Sequence, residues 1–415
     1  MSASYNALVP DAAKELLCFL YGTSGRQSVL LLGPPGVGKS ALVRETAAEI
    51  AHDAGRTLFE YNNRHLTGID LNDVYTYPER YFIFVDLRLT ETEPVDLMGR
   101  PVTVRVGDIP QLVYQPAQWA ALLSVVPGIL FLDEITNVHR PDVLAAAYKL
   151  IQDRTAGFTA FCCGVQVVAA GNSPKDSAIA NLLPSPLLNR VYCLDVQAPQ
   201  LNQWARWMSF NHQGSEEKVL AYLYRFPGDF CRVPDEDEAL GGYPTPRSYT
   251  FLARDLAAAV GAGLSAESVR ALCVAALGAE VGEKFFAFWR HPVPTFAELK
   301  NAPDVFSGLN IDEKYIAVVA IGQGIAAEIS SIAFRSLDAG ILEARGLLKK
   351  IVADCAPLLE AVAAQTREYL GLLWFTLANH IDSPWREAFY FEVCARSCTI
   401  RKAYADIGNI LKWPA

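Results

Sequence analysis

The chain has no basic surplus. Across 415 residues, 45 acids outnumber 36 lysines and arginines, which leaves a formal charge of −9 and an isoelectric point near 5.3. This argues against a general nucleic-acid or anionic-membrane surface and leaves room only for a local basic groove. The nine cysteines lack disulfide or zinc spacing. The closest, Cys162–Cys163 and Cys394 with Cys398, have no histidine to complete a ligand set, so they read as buried thiols in a reducing cytoplasm. The opening MSASYNALVPDAAKE has no basic start and carries acids early, so no secretory leader is expected. Unbroken apolar runs of membrane length are missing too. Pro110–Leu132 is interrupted by Pro116 and Pro127, and Thr155–Pro174 by Gly157, Gly164 and Gly171; each is expected to hold short elements ending in a buried strand. There is no internal repeat and no low-complexity tract.

Apolar residues make up 51% of the chain and charged residues 20%, a globular composition at a length suited to two or three domains. PDAAKELLCFLYG reads as a helix, with Pro10 near its first turn and Gly22 past its end. Five apolar strands then recur between helical pieces: Ser28–Leu32, Tyr81–Leu87, Gly128–Leu132, Val165–Ala170 and Val191–Val196. Continuous apolar strands alternating with helices predict an α/β fold whose five-stranded parallel sheet is covered on both faces. After Gln197 the pattern is helical: Gln200–Phe226, a loop over Pro227–Pro246, then SYTFLARDLAAAVG, SAESVRALCVAALG and EKFFAFWRH. A break at HPVPTFAELKNAPD precedes a last helical region, apolar at Leu358, Leu359, Val362, Tyr369, Leu372 and Leu373 as a bundle core would be. The expected division is an α/β nucleotide-binding domain over 1–197, an all-α domain over 198–294 and a C-terminal helical extension over 295–415.

The stretch with the most chemistry is Gly33-Pro34-Pro35-Gly36-Val37-Gly38-Lys39-Ser40-Ala41. It fits G-x-x-x-x-G-K-[ST], follows an apolar strand and opens a helix, which is the context a phosphate loop requires. The glycines let backbone N–H groups curl around phosphate oxygens, and the helix start adds partial positive charge. Lys39 is placed to reach the β- and γ-phosphates of ATP, and the Ser40 hydroxyl to hold Mg²⁺. GILFLDE supplies a second half-site: Asp133 to complete the Mg²⁺ shell and Glu134 to polarise an attacking water. Asn172, in VVAAGNSP, is either a plain turn residue or a group that touches the γ-phosphate. Arg190 precedes the fifth strand and Arg247 opens a helix of the second module. Each has the fixed fork that suits a γ-phosphate, and taken singly each reads as well as a surface arginine.

The order of these parts resembles the AAA+ ATPases. Within them, the chain is most similar to the MoxR group and its dynein-midasin relatives, through DLRLTETEPVDLMGRPV, FLDEITNVHRPDVLAAAYKLIQD, LPSPLLNRV, PTPRSY and GAEVGEKFFAFWR. The resemblance covers roughly Ser28–Pro294. It implies an AAA+ core with an all-α lid, Mg²⁺-dependent hydrolysis of ATP, and ring oligomers, usually hexamers. It assigns Asn172 as first sensor, Arg190 as an arginine finger acting on a neighbour's nucleotide, and Arg247 as second sensor. Two departures stand out: Asn189-Arg190-Val191 replaces the common D-R-F, and DEIT followed by Asn137 replaces DEIN.

The MoxR resemblance further implies a remodelling ATPase that works on a protein client, often with a partner carrying a von Willebrand factor A domain. VTVRVGDIPQLVYQP (Val102–Pro116) lies where this branch inserts a pore-directed hairpin. Its alternation at Val102, Val104 and Val106 suits that or an ordinary edge hairpin. RTAGFTAFCCG is the candidate for a second, pre-sensor hairpin. The alternative reading is a nucleic-acid motor, but the first hairpin offers only Arg100 and Arg105 beside Asp108, and the second only Arg154, a thin lining for a polyanion.

Overall fold

The computed structural model describes residues 7–61, 68–173, 180–212, 217–233, 241–339, 341–381 and 383–408. They form two compact units, Met1–Pro199 and Gln200–Ala415.

In the first unit the strands of one sheet are β1 (Ala7–Leu8), β2 (Val29–Leu32), β3 (Thr57–Tyr61), β4 (Tyr81–Arg88), β7 (Gly128–Asp133), β10 (Val165–Gly171) and β11 (Tyr192–Val196). Two further pairs stand outside it: β5 (Arg100–Val106) with β6 (Ile109–Gln115), and β8 (Thr155–Ala156) with β9 (Thr159–Ala160). The sheet order is β1-β11-β2-β10-β7-β4-β3, and every pairing in it is parallel. The expectation of five strands is corrected to seven. The five expected strands are the inner ones, and both additions are edges. β3 reads Thr-Leu-Phe-Glu-Tyr and is only partly buried, so it lacks the continuous apolar run that marks an inner parallel strand. β1 spans two residues, too few to carry any pattern.

Side chains alternate across the inner strands, as the two-residue strand period requires. Leu30, Ile83, Val85, Leu130, Leu132, Val167 and Ala169 face one layer, filled by α5 (Gln118–Leu123) and α6 (Pro141–Asp153). Val29, Leu31, Phe82, Phe84, Ile129, Phe131, Val168 and Ala170 face the other, filled by α1 (Pro10–Gly22) and α2 (Lys39–Asp53). Phe131 has no solvent exposure and stacks on Phe84 with ring centroids 6.4 Å apart.

The second unit is helical, with no strand among its described residues. One continuous core runs from Trp204 through Tyr222, Tyr249, Phe285 and Phe306 to Leu373, Phe389 and Ile400, and it includes all six of the C-terminal apolar positions named above. The acid-rich centre of the Pro227–Pro246 loop, residues 234–240, lies outside the described residues. Just before it, buried Asp229 accepts from Tyr222 Oη at 2.8 Å and from Lys284 Nζ at 2.7 Å. Burial alone would raise its pKa, but these donors hold the carboxyl below the usual aspartate range. Ile311–Ile332 is long and apolar enough to cross a membrane; 61% of that window is buried inside the unit, as in a core helix.

Phe131→Ala should cost the α/β unit about 3–5 kcal/mol, the range for deleting a fully buried phenylalanine. Urea unfolding followed by tryptophan fluorescence will measure it; a loss below about 1 kcal/mol would mean that this layer relaxes as a surface does.

Candidate nucleotide site

The site is assembled at the carboxyl ends of the inner strands, where open parallel sheets present ligands to the loops. β2 is held on both sides, Leu32 opposite Gly171 and Asp195, so the loop that follows leaves from a fixed point. Gly33 is pressed against the sheet, where a Cβ would stand 2.0 Å from the Val196 carbonyl oxygen. Gly38 has φ +96°, a left-handed backbone that only glycine adopts without strain. Lys39 opens α2 and is 8% exposed. Its Nζ donates to the carbonyls of Gly33 at 2.8 Å and Pro34 at 2.9 Å, and to Asn172 Oδ1 at 3.3 Å.

β10 lies between β2 and β7, so Asn172 at its end stands between the phosphate loop and Asp133. Ser40 Oγ donates to Asp133 Oδ2 at 2.8 Å. A hydroxyl beside a carboxylate is the hard-oxygen pair that Mg²⁺ prefers, with its remaining positions left to water and phosphate. Asp133 Oδ1 accepts the Glu134 N–H at 2.9 Å. Glu134 has φ +61°, unusual for a residue with a side chain, and this turn swings it away from the line of β7. Its carboxylate accepts from Thr90 Oγ1 at 2.8 Å and lies 3.7 Å from Arg88 Nε. Arg88 ends β4, whose register sets it opposite Asp133, and Thr90 lies in the short turn that follows.

The structure thus gathers Lys39, Ser40, Asp133, Glu134 and Asn172 in one place. It does not bring Arg190 there. Tyr192 pairs with Val29, the first residue of β2, so Arg190 sits at the amino-terminal end of the sheet, roughly 13 Å from the loop by the length of β2. There it is exposed, and its guanidinium donates to Gln152 Oε1 at 2.6 Å. Arg247 belongs to the second unit. It is exposed in the first turn of α10 (Pro246–Gly261), whose cap is built by Thr245 Oγ1 accepting the Ser248 N–H at 3.1 Å. A cation in a helix's first turn opposes the macrodipole and gains when an anion approaches.

Three residues near the acid pair escape sequence reading. Asp86, on β4, has a carboxyl pushed up to about 6, first by desolvation and then by the Asp133 charge. The residue as a whole keeps solvent contact; its carboxyl lies in the field of Asp133. Its signal was available, since the strand ends IFVDL and LFLDE place acids alike. Thr90 and Thr136 carried no comparable signal, because their partners, Glu134 and Asn172, follow other strands.

The hairpins also have definite geometry. β5 and β6 pair over seven positions, Val102 opposite Val113 and Thr103 opposite Leu112. One face therefore carries Val102, Val104, Val106, Ile109 and Val113, and the other Tyr114 and Leu112. Val106 is 59% and Ile109 66% exposed. Tyr114 meets Phe158 of the β8–β9 turn with ring centroids 5.0 Å apart.

Residues 28–190 match the family described as AAA domain (dynein-related subfamily). No curated protein matches the chain. Among solved structures, PCH-2 of C. elegans aligns at 13% identity over 67% of each chain with a TM-score of 0.29. ORC2 of Aeropyrum pernix, in ADPNP–ADP complexes, aligns at 14% over 94% of this chain and 95% of its own with a TM-score of 0.33. A chain of the E. coli HORMA:CdnC:Trip13 complex aligns at 14% over 63% and 86% with a TM-score of 0.31. The family match spans the phosphate loop, the acid pair, Asn172 and Arg190, so over residues 28–190, which carry the parallel sheet described above, the chain is similar to an AAA domain of the dynein-related subfamily.

Proposed function

We propose that the chain is a Mg²⁺-dependent ATPase of MoxR type that closes into a ring, with a hexamer expected, and remodels a protein client with a partner bearing a von Willebrand factor A domain. The observation that carries the ATPase reading is the convergence of Lys39, Ser40, Asp133, Glu134 and Asn172 on one sheet edge. Lys39 exchanges its two carbonyl partners for phosphate oxygens when ATP arrives. Ser40 and Asp133 are the residues that would hold Mg²⁺, which when bound neutralises charge on the β- and γ-phosphates. Glu134 accepts a proton from the attacking water, and to do so its carboxylate must leave Thr90 and Arg88. Asn172 orients the γ-phosphate side of the site. Arg190 stands too far from its own loop to serve it, which supports action on a neighbour's nucleotide. Arg247 answers the γ-phosphate from the helical unit, as a lid residue. A cytoplasmic setting suits the cysteines, which are all free.

Protein remodelling, and not transport along nucleic acid, is supported by the exposed apolar face of the β5–β6 hairpin, which offers a polypeptide more than it offers a phosphate backbone.

Glu134→Gln should bind ATP normally and lose turnover, whereas Lys39→Ala should lose binding as well; calorimetry with ATP and a phosphate-release assay separate the two. Near-normal hydrolysis by Glu134→Gln would remove that residue from the catalytic role. Arg190→Ala should lose on the order of 10³–10⁵ in rate with ATP affinity kept. Mixing it with Lys39→Ala should restore part of the activity, since one interface again pairs an intact site with an intact finger. A specific rate that stays constant on dilution to monomer would refute action between subunits. Val104→Ser, Val106→Ser and Ile109→Ser together should spare basal ATPase and ring formation while abolishing client-coupled work. Strong stimulation of turnover by DNA at physiological salt would instead favour the nucleic-acid motor.

A further inference from the structure

Thr136 stands two residues beyond Glu134, 1% exposed, where the family's common DEIN has asparagine one place earlier than this chain's Asn137. Its hydroxyl accepts the backbone N–H of Asn172 at 2.9 Å. Its carbonyl accepts the Asn181 N–H at 2.7 Å, and the Asn181 side chain donates to Val138 O at 3.1 Å. The space a Cβ would need on Gly171 is filled by this same side chain, 2.5 Å from Oγ1 and 2.6 Å from Cγ2. Thr136 is therefore fixed from three directions: by the end of β10, by Asn181, and by its own turn, which the Asn137 N–H closes onto the Glu134 carbonyl at 2.9 Å. A β-branched side chain in such a pocket keeps one rotamer.

We propose that Thr136 is a positioning residue that sets the reach of Asn172 relative to Glu134. The inference rests on the reading that Glu134 and Asn172 act on ATP. Asn172 is the first residue past β10, and beyond that strand's ladder its backbone N–H is tied to the sheet edge by the Thr136 hydroxyl. Glu134 and Thr136 belong to one tight turn, and the Thr136 hydroxyl ties that turn to the Asn172 backbone, so a shift of the turn moves both groups together. A threonine that only filled space would leave the two groups independent.

The isosteric Thr136→Val keeps the methyl and the shape but removes the acceptor, while Thr136→Ser keeps the acceptor and removes the methyl. Thr136→Val should lower kcat by on the order of 10²-fold, the effect of misplacing a reacting group by about an ångström, with ATP affinity unchanged by calorimetry. Thr136→Ser should recover most of that loss. Gly171→Ala, which presses a methyl onto both Thr136 Oγ1 and Cγ2, should reproduce the Thr136→Val pattern with every hydrogen-bonding group still present, and it serves if Thr136→Val does not fold. Wild-type kcat in Thr136→Val, a loss of equal size in Thr136→Ser, or a loss confined to ATP affinity overturns the proposal. Glu134→Gln run alongside separates the two ideas. If it is inactive while Thr136→Val turns over normally, only the role of Thr136 falls; if it hydrolyses ATP normally, the catalytic reading falls and takes this one with it.

Discussion

The site depends on one constraint: β10 must lie between β2 and β7. The strand is buried along all seven residues, so both faces need cover and both edges need partners, and a parallel strand of this kind has no stable place at a sheet's rim. The chain leaves β2, builds two strands and a hairpin, lays down β7, and only then returns to fill the gap. That return joins residues far apart in sequence. Lys39, Asp133 and Asn172 meet because three strand ends are neighbours, and the pairings that fix them are Leu32 with Gly171 and Leu132 with Ala169. The same arrangement sends Arg190 to the other end of the sheet. One layer of strands thus has two separate ends, one carrying the phosphate loop and the acid pair and the other carrying Arg190.

What could be read from the sequence was what is local. The phosphate loop is a contiguous stretch whose glycines each answer a steric demand, and the acid pair closes β7 after an unbroken apolar run, Ile129–Leu132. The inner strands were legible for the same reason. β3 was not, because an edge strand need satisfy burial on part of its surface only, and Glu60 in its midst breaks the pattern. Thr90, Arg88 and Thr136 were illegible for a different cause: a hydroxyl or guanidinium has no role until the register of a neighbouring strand decides what it faces.

The helical unit shows the opposite balance. Its core positions were plain from spacing, since Leu358, Leu359, Val362 and Leu373 are all buried, yet spacing says nothing of purpose. The hub at Asp229 is the exception in kind. A carboxylate surrounded by Tyr222, Lys284 and Arg232 is a costly thing to bury, and it is tolerated because each charge is matched. It ties α9 (Glu217–Arg225) to α12 (Ala279–Trp289) close to the segment from which α10 departs, the helix that carries Arg247.

The β5–β6 ribbon has the proportions of a lever arm. Seven residues per strand give it a length of roughly 23 Å, and its root is gripped where Tyr114 meets Phe158 and where Gly99 is packed against the Gln115 carbonyl. A turn of about 10° at that root would carry the tip through roughly 4 Å over such a length, close to one residue of extended chain. A rotation too small to disturb the sheet is thus magnified, at Val106 and Ile109, into a displacement about as long as one residue of extended chain.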